Sequence, residues 1–309
     1  MTSHILQRLW GATVVLLGVS IFVFSILHLI PGDVAALLAA RSFAGVSPEY
    51  TMRIRRELGL DDPLWIQYWT FLKKALVGDL GRSFYTSHPV TSSIVEQLPA
   101  TLRLTAVSLA IATGLGLGLG IVSAVYHNRL VDRLAMVFSL GGLSIPIPWS
   151  GLMLIYVFSV QLNWFPITAG HGWKTIVLPA VVLGYDAAAF VTRMVRTSVL
   201  ETLRQDFVRT ARAKGLRQSL VIGRHVLKPA MIPTITLIGL LVGRLLGGAV
   251  VVETVFARQG VGRLALDAIQ YKDYFLVQGI VLWAAVIYVL LNLIVDLSYT
   301  WLDPRIRYE

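Results

Sequence analysis

The stretch LWGATVVLLGVSIFVFSILHLIPG, residues 9 to 32, contains no Asp, Glu, Lys or Arg, and it decides the class of fold. A helix of about 20 apolar residues is long enough to cross the roughly 30 Å of hydrocarbon in a bilayer. The run is too long for the apolar region of a secretory signal, and no small-residue cleavage site follows it. It therefore predicts a first membrane-spanning helix.

The composition extends this prediction to the rest of the chain. The 309 residues are 56% hydrophobic and only 14% charged, and the mean hydropathy of +0.70 lies outside the range of ordinary soluble domains. Further apolar stretches of spanning length lie at residues 100–126, 135–160, 176–198, 231–256 and 276–301. The sequence thus predicts an all-α, polytopic membrane protein with six transmembrane helices and both termini on one side.

The distribution of Lys and Arg predicts the orientation, because basic loops are retained in the cytoplasm. Residues 193–228 hold the densest group: Arg193, Arg196, Arg204, Arg209, Arg212, Lys214, Arg217, Arg224 and Lys228. Arg129 and Arg133, and then Arg305 and Arg307 in the tail, fall on the same predicted side. Both termini are therefore expected in the cytoplasm. This topology, together with anionic lipid, accounts for the net charge of +10, so no nucleic-acid partner is predicted.

Three regions follow from this topology. Residues 1–32 comprise the N-terminus and the first span, residues 33–98 form an external helical segment, and residues 99–309 hold the other spans with a cytoplasmic loop at 199–230. Within the external segment, Pro and Gly signals predict two helices, EYTMRIRREL and LWIQYWTFLKKALV. The aromatic residues of the second helix fit either the lipid headgroup level or a docking rim for an external partner: Trp65, Tyr68, Trp69 and Phe71.

Small residues and prolines mark special positions within the spans. GLGLGLG at residues 114–120 spaces glycines four apart, which is typical of close helix packing in lipid. SIPIPW at residues 144–149 contains Ser144, Pro146 and Pro148, and its prolines must kink or interrupt the third span. Such irregular backbone is tolerated where it borders protein or a water-filled path. These three residues are therefore candidates for the translocation path.

Two charged residues lie deep within predicted spans. Asp186 is about ten residues from the outer end of the fourth span and Arg244 about twelve from that of the fifth, so at roughly 1.5 Å per residue their depths are similar. Ionisable groups inside membranes face a partner or a cavity. The sequence predicts that they pair, with a role in the translocation path as the alternative.

Sequence motifs for catalysis are absent. The chain contains neither the phosphate-binding G-x-x-x-x-G-K-[ST] nor H-E-x-x-H nor G-x-S-x-G, it has no cysteine, and its histidines are scattered. We therefore predict no enzyme activity, no catalytic residue, no metal site and no cofactor within this chain.

The basic stretch RTARAKGL, residues 209–216, lies in a loop longer than a plain connection between spans requires. Residue propensities favour one helix from Leu200 through Ala213, with Gly215 as its terminator. One interpretation is a solvated basic face at the membrane surface. The other is a helix seated in the groove of another protein, with its small residues at the contact.

The longer segment DFVRTARAKGLRQSLVIGRHVLKPAMIPTITLIG, residues 206–239, resembles the cytoplasmic EAA loop of permease subunits of bacterial ABC importers. The form of the EAA loop that it resembles is the one found in permeases of the dipeptide, oligopeptide, glutathione and nickel group. Other landmarks of this group occur in the same order: LIPGD (29–33), LGLDDPLWIQYW (58–69), GDLGRSF (78–84), LLGGAVVVETVFARQGVGRL (245–264) and NLIVDLSYTWLDPRIRY (292–308). The resemblance covers nearly the whole chain.

The resemblance implies a permease of the type I ABC importer architecture in a bacterial inner membrane. Its implied partners are a second, similar permease, two cytoplasmic ATPase subunits that bind ATP and Mg, and an external binding protein that delivers peptides, glutathione, or nickel or its chelates. The residues implied to contact the ATPase are Arg209, Thr210, Ala211, Arg212, Ala213, Lys214 and Gly215, where Arg209 replaces the glutamate that names the motif.

Two other classes of function stay open at this point. An ion-coupled secondary transporter would show inverted repeats and ionisable residues near the membrane midplane. The chain offers only Asp186 and Arg244 for the second requirement. A purely structural membrane scaffold would leave the proline-broken third span without an explanation.

Overall fold

The computed structural model describes residues 2–29, 35, 36, 39, 48–57, 59–166 and 172–302. These residues are helical apart from their connections and one isolated β-bridge between Arg82 and Pro89, so the all-α prediction is confirmed. Several predicted features lie outside the described residues: the boundary at residues 32 and 33, the LIPGD motif beyond Leu29, and the basic tail with Arg305 and Arg307.

The helices follow the apolar runs and the Pro and Gly signals. The helices are α1 (Thr2–Leu29), α2 (Pro48–Glu57), α3 (Leu64–Leu76), α4 (Val90–Val125), α5 (Leu130–Ser144), α6 (Ile147–Leu154), α7 (Lys174–Leu203), α8 (Asp206–Ala213), α9 (Gln218–Leu220), α10 (Leu227–Val255), α11 (Val261–Gln270) and α12 (Tyr274–Leu302). Two π-helical turns, Ile155–Gln161 and Val221–Val226, continue α6 and precede α10.

Five of the described helices are long and apolar enough to cross a membrane, or six if α5 and the helix after it count as one broken span. The break is a bend of 103° at the SIPIPW stretch, as the two prolines predict. Ile145 is extended there, with φ −97° and ψ 122°. Pro146, which has no backbone N–H to donate, then precedes the first turn of α6.

The prediction of one helix from Leu200 through Ala213 is wrong. The chain leaves α7 after Leu203, and Gln205 is extended, with φ −71° and ψ 148°, before α8 begins at Asp206. Residue propensity favours a continuous helix here. The break instead allows Val208 to turn into the core, where its side chain is fully buried, and this burial outweighs the propensity.

The chain divides into two compact units, and the first comprises residues 1–96 and 264–289. In this unit α3 packs along the end of α1. The Ser20 hydroxyl lies 2.9 Å from that of Tyr68, and the Phe24 ring contacts Tyr68 and Phe71 at centroid distances of 5.4 and 6.0 Å. Trp65 and Trp69 remain exposed. The aromatic residues of α3 therefore divide between a face on α1 and a free face.

The second unit comprises residues 97–263 and 290–309, and α7 contributes more residues to its buried apolar core than any other described helix. Neighbouring helices approach α7 at glycines. A methyl group at Gly116 or Gly120 of α4 would lie 2.4 or 2.6 Å from the Cβ of Val191 or Val195, and one at Gly142 of α5 would lie 2.6 Å from the Tyr185 carbonyl oxygen. Gly114 and Gly118 have open space instead. One of the two glycine lines in GLGLGLG therefore provides the predicted close packing.

Candidate functional site

Helix α8 is fixed to its own chain along one face. Val208 and Ala211, three residues apart, are 0% and 6% exposed. They belong to the same apolar cluster as Val221 and Val226 in the π-helical turn before α10. Ala211, which the sequence suggested for a groove on another protein, therefore contacts this chain's own core.

The opposite face of α8 is exposed and basic. Arg209, Thr210, Arg212, Ala213 and Lys214 are all exposed. The preceding Phe207 is 47% exposed, and sequence reasoning missed this aromatic side chain. Asp206 neutralises little of the charge, because its contact with Arg209 is 3.7 Å long and both side chains are largely in solvent. The arrangement suits an acidic partner surface with an apolar recess.

Gly215 ends this surface with a tight turn. Its φ of +75° is left-handed, a conformation that side chains with a Cβ rarely adopt. Its N–H donates to the Arg212 carbonyl at 2.9 Å. Nothing lies within 4 Å of a Cβ built at this position, so the backbone conformation explains the glycine here and crowding does not.

Ser144, Pro146 and Pro148 lie at the bend between α5 and α6, and all three are exposed. The Ser144 hydroxyl donates to the Leu140 carbonyl of its own helix at 3.1 Å. Among the described residues, no hydrogen bond or ion pair joins these three to the charged pair of the deep spans. Their position at the bend is consequently the observation that makes these three residues candidates for the translocation path.

Asp186 of α7 and Arg244 of α10 form the ion pair that their predicted depths indicated. Arg244 Nη2 donates to Asp186 Oδ2 at 3.1 Å. The carboxylate side chain is 12% exposed and the guanidinium side chain 49% exposed. The Arg244 guanidinium also lies over the ring of Phe190, 4.4 Å from its centroid. The carboxylate thus holds a cation at the surface of this unit.

Sequence reasoning missed a second buried carboxylate, Glu253, near the end of α10. Its side chain is fully buried. It accepts hydrogen bonds from the Thr101 hydroxyl at 2.6 Å, the Gly262 N–H at 2.8 Å and the Arg263 N–H at 3.2 Å. Thr101 Oγ1 accepts in turn from the Val261 N–H at 2.9 Å. The signal was an acidic residue inside the apolar run VVVETV.

The loop after α10 wraps closely around this carboxylate. A Cβ at Gly260 would lie 2.1 Å from the Glu253 carboxylate, so no larger residue fits without rearrangement. Burial lowers the pKa of the Arg258 guanidinium in this loop, an effect to which the charge of Arg103 adds and which the charge of Glu253 opposes. The glycines of RQGVGRL are thus explained by close packing, since a Cβ at either position would meet Glu253.

A third network, also missed, lies between α5 and α7. Arg196 Nε and Nη2 each donate to Asp132 at 2.9 Å, one to each carboxylate oxygen. Ser123 and the Asn128 N–H donate to the same carboxylate. Arg196 Nη2 also lies 3.1 Å from His127 Nδ1. Arg196 was counted only as part of the basic loop, but it fixes the turn between α4 and α5.

Protein-family models cover most of the chain. A model described as "Binding-protein-dependent transport system inner membrane component" matches residues 116–308, and a model for the N-terminal part of such membrane components matches residues 1–105. A glutathione transport system permease protein GsiC from Pectobacterium atrosepticum is 42% identical over 309 residues, with both chains fully covered. The GsiC protein of Escherichia coli strain K12 is 39% identical over the same length, again with full coverage of both.

Solved structures share the fold at low sequence identity. A MetNI methionine ABC transporter in an inward-facing conformation matches with a TM-score of 0.57 and 20% identity, over 68% of this chain and 95% of that one. An amino acid ABC transporter crystallised with histidines matches with a TM-score of 0.53 and 17% identity, over 70% of this chain and 94% of that one. The likeness concerns the helical architecture.

Proposed function

This chain belongs to the family of binding-protein-dependent transport system inner membrane components, the permease subunits of ABC importers, and we propose that it forms half of a translocation pathway for glutathione or a similar small peptide. The substrate proposal is supported by full-length relatives described as glutathione transport permeases, at 42% and 39% identity. Family membership also argues against an ion-coupled secondary transporter and against a structural scaffold.

The observation that carries the proposal is the division of α8 into two faces. A helix fixed to its own spans through Val208 and Ala211 transmits force to them. Its exposed face, with Phe207 and the basic residues from Arg209 to Lys214, is available to a second protein. We assign this face to contact with an ATPase subunit that binds ATP and Mg, so that movement of the ATPase shifts the spans between outward and inward access.

The remaining parts of the importer follow from this assignment. A second permease would complete the pathway, and an external binding protein would deliver the substrate to the segment 33–98. In the proposed six-span topology, both termini and the loop 199–230 lie on the cytoplasmic side of a bacterial inner membrane. The first span lies within residues 1–32 and the permease core within residues 99–309. Ser144, Pro146 and Pro148 at the bend, with Asp186 and Arg244, are the proposed lining of the path.

The test is ATP hydrolysis by the complete complex in lipid nanodiscs, assembled from this chain, its neighbouring operon products and a glutathione-loaded binding protein. In Gly215→Asp, a negative charge replaces the turn glycine beside the basic face, and we expect stimulation by the loaded binding protein to be lost while the subunits stay associated. Gly215→Asn is the matched control, because asparagine tolerates the left-handed backbone of φ +75° and adds no charge.

The outcomes separate the classes of function. Stimulation that survives in Gly215→Asn and disappears in Gly215→Asp supports the coupling face. If both variants behave like wild type, the assignment of α8 to the ATPase is wrong. If glutathione uptake into proteoliposomes proceeds without ATP and stops when an ionophore collapses the ion gradient, the chain works as an ion-coupled carrier instead.

A further inference from the structure

A cluster of three charged side chains surrounds one aromatic ring in the second unit. The Phe190 ring of α7 lies near two guanidinium groups, with Arg244 4.4 Å and Arg193 5.4 Å from its centroid. Asp186 is the carboxylate of this group, and its ion pair with Arg244 is 3.1 Å long. Two positive charges and one negative charge leave the cluster with an excess positive charge.

Arg244 keeps donors that its own chain does not use. A guanidinium has five N–H donors, and within the described residues Arg244 has one hydrogen bond, from Nη2 to Asp186. Its side chain is 49% exposed although it lies inside a spanning helix. A half-exposed guanidinium at such a depth is too costly to place against lipid tails, so it faces a polar path or another polar surface.

The surface around Arg244 leaves space beside the guanidinium. Leu240, Arg244, Gly247 and Val251 are all exposed and recur at helical spacing, so they form one stripe along α10. Nothing lies within 4 Å of a Cβ built at Gly247, one turn from Arg244. The stripe is otherwise apolar, which makes the arginine its single anion-binding group.

We propose that Arg244 binds the C-terminal carboxylate of the transported peptide within the path, with Arg193 as the second cation beside the Phe190 ring. Asp186 and the ring would hold the guanidinium in place, and its free edge would accept the carboxylate in the planar, two-bond geometry that arginine favours. This inference rests on the proposed function. Glutathione fits the excess positive charge, because it carries two carboxylates and one ammonium group at neutral pH.

The experiment compares two probes in proteoliposomes that contain the complete importer and one binding protein throughout. The probes are reduced glutathione and its glycine ethyl ester, and the measurement is the concentration that gives half-maximal ATP-driven uptake. Losing a charge-assisted hydrogen bond weakens binding by roughly 10-fold to 100-fold. We expect Arg244→Gln to raise the half-maximal concentration of glutathione by about that factor and that of the ester much less. The preference of the binding protein for one probe does not affect the comparison between variants, because the same binding protein is used with each of them.

Two further variants and a control make the result specific. Arg244→Lys keeps the charge but loses the planar fork, so an intermediate shift is expected, and Phe190→Leu should weaken glutathione uptake with the charges intact. Arg133→Gln, at an exposed position of α5 with no hydrogen bond, ion pair or ring contact to the cluster among the described residues, should leave both probes unchanged.

Three results would overturn the carboxylate site. Equal increases in the half-maximal concentrations of glutathione and its ester in Arg244→Gln would show that the guanidinium does not bind the C-terminal carboxylate. Loss of subunit association in Arg244→Gln, with Arg244→Lys restoring it, would assign Arg244 to the contact with the second permease. If the wild-type importer takes up no glutathione, the proposed function fails and the site fails with it, whereas uptake with an unchanged ratio of the two probes overturns this inference alone.

Discussion

Thr101 and Glu253, which are 152 residues apart in the sequence, are joined by a 2.6 Å hydrogen bond from the threonine hydroxyl to a fully buried carboxylate. The same hydroxyl oxygen accepts the N–H of Val261, and the carboxylate accepts the N–H groups of Gly262 and Arg263. One threonine therefore ties helix α4 both to α10 and to the loop that follows it.

Thr101→Val should destabilise this unit, because valine has nearly the shape of threonine but no hydroxyl. The change removes one hydrogen-bond donor to Glu253 and leaves the Val261 N–H without its acceptor. Each polar group left without a partner in this way costs about 1–3 kcal/mol. We expect the free energy of unfolding to fall by about 2–4 kcal/mol, measured by SDS titration of the detergent-solubilised chain. Thr101→Ser keeps the hydroxyl and should retain most of the stability. Equal stability of the valine and serine variants would contradict the role of the hydroxyl.

Gly120→Ala should separate α4 from α7. Its added methyl group would lie 2.6 Å from Val195 Cβ and 2.8 Å from the Thr192 carbonyl oxygen, and a backbone atom cannot move aside cheaply. Overpacking of this kind costs about 1–3 kcal/mol. Gly118→Ala is the matched control, because nothing lies within 4 Å of its Cβ. The same SDS titration should show a loss for Gly120→Ala alone, and a loss of equal size in both variants would rule out the close contact.

The features that the sequence predicted well depend on local physical rules. Uncharged runs such as residues 9–32 have few structural alternatives to a spanning helix, and the prolines of SIPIPW interrupt a helix wherever they occur. The pairing of Asp186 with Arg244 was predictable because isolated charges in apolar helices need partners at similar depth.

The features that were missed depend on contacts between distant segments. No local pattern indicates that Thr101 meets Glu253, since the pairing requires α4 and α10 to be packed first. The break at Arg204 and Gln205 has the same origin, because the burial of Val208 is decided by the core and not by the neighbouring residues. Whether Arg196 belongs to a solvated basic loop or to a buried pair is likewise a question of packing.

The pair of Asp132 and Arg196 should show strong coupling in a double-mutant cycle. Both guanidinium–carboxylate hydrogen bonds are 2.9 Å long, and the Asp132 side chain is only 5% exposed. Removing one partner of a buried pair leaves a charge without compensation and costs about 3–5 kcal/mol. Asp132→Asn and Arg196→Gln should each reach that range in SDS titration, and the double variant should lose clearly less than their sum.

A surface pair provides the comparison for this cycle. Asp206 and Arg209 are 3.7 Å apart and both side chains are largely exposed, so Asp206→Asn should have no measurable effect on stability. Additive losses for Asp132→Asn and Arg196→Gln would show that the two residues stabilise the chain independently.

In the first unit, Asp273 combines two structural roles. Its Oδ1 accepts the Leu276 N–H at 3.2 Å, which caps the first turn of α12. Its Oδ2 accepts the Ser83 hydroxyl at 2.6 Å and the Tyr85 N–H at 3.1 Å, which ties down the loop before α4. The side chain is fully buried, so no water replaces these partners.

Asp273→Asn should release this loop while keeping most of the helix cap. The asparagine carbonyl can still accept from Leu276, but its NH₂ group then faces the Tyr85 N–H, which can only donate, so that hydrogen bond is lost, whereas the Ser83 hydroxyl can rotate and accept from the NH₂ group. We expect hydrogen–deuterium exchange at the Tyr85 amide to become about 10-fold faster or more, measured by mass spectrometry on the detergent-solubilised chain. Ser92→Ala is the control, because the Ser92 hydroxyl donates only to the Pro89 carbonyl of its own helix start. Unchanged exchange at Tyr85 in Asp273→Asn would mean that other contacts hold the loop, with the packing of Phe84 on Phe275 at 4.7 Å as the first to be tested.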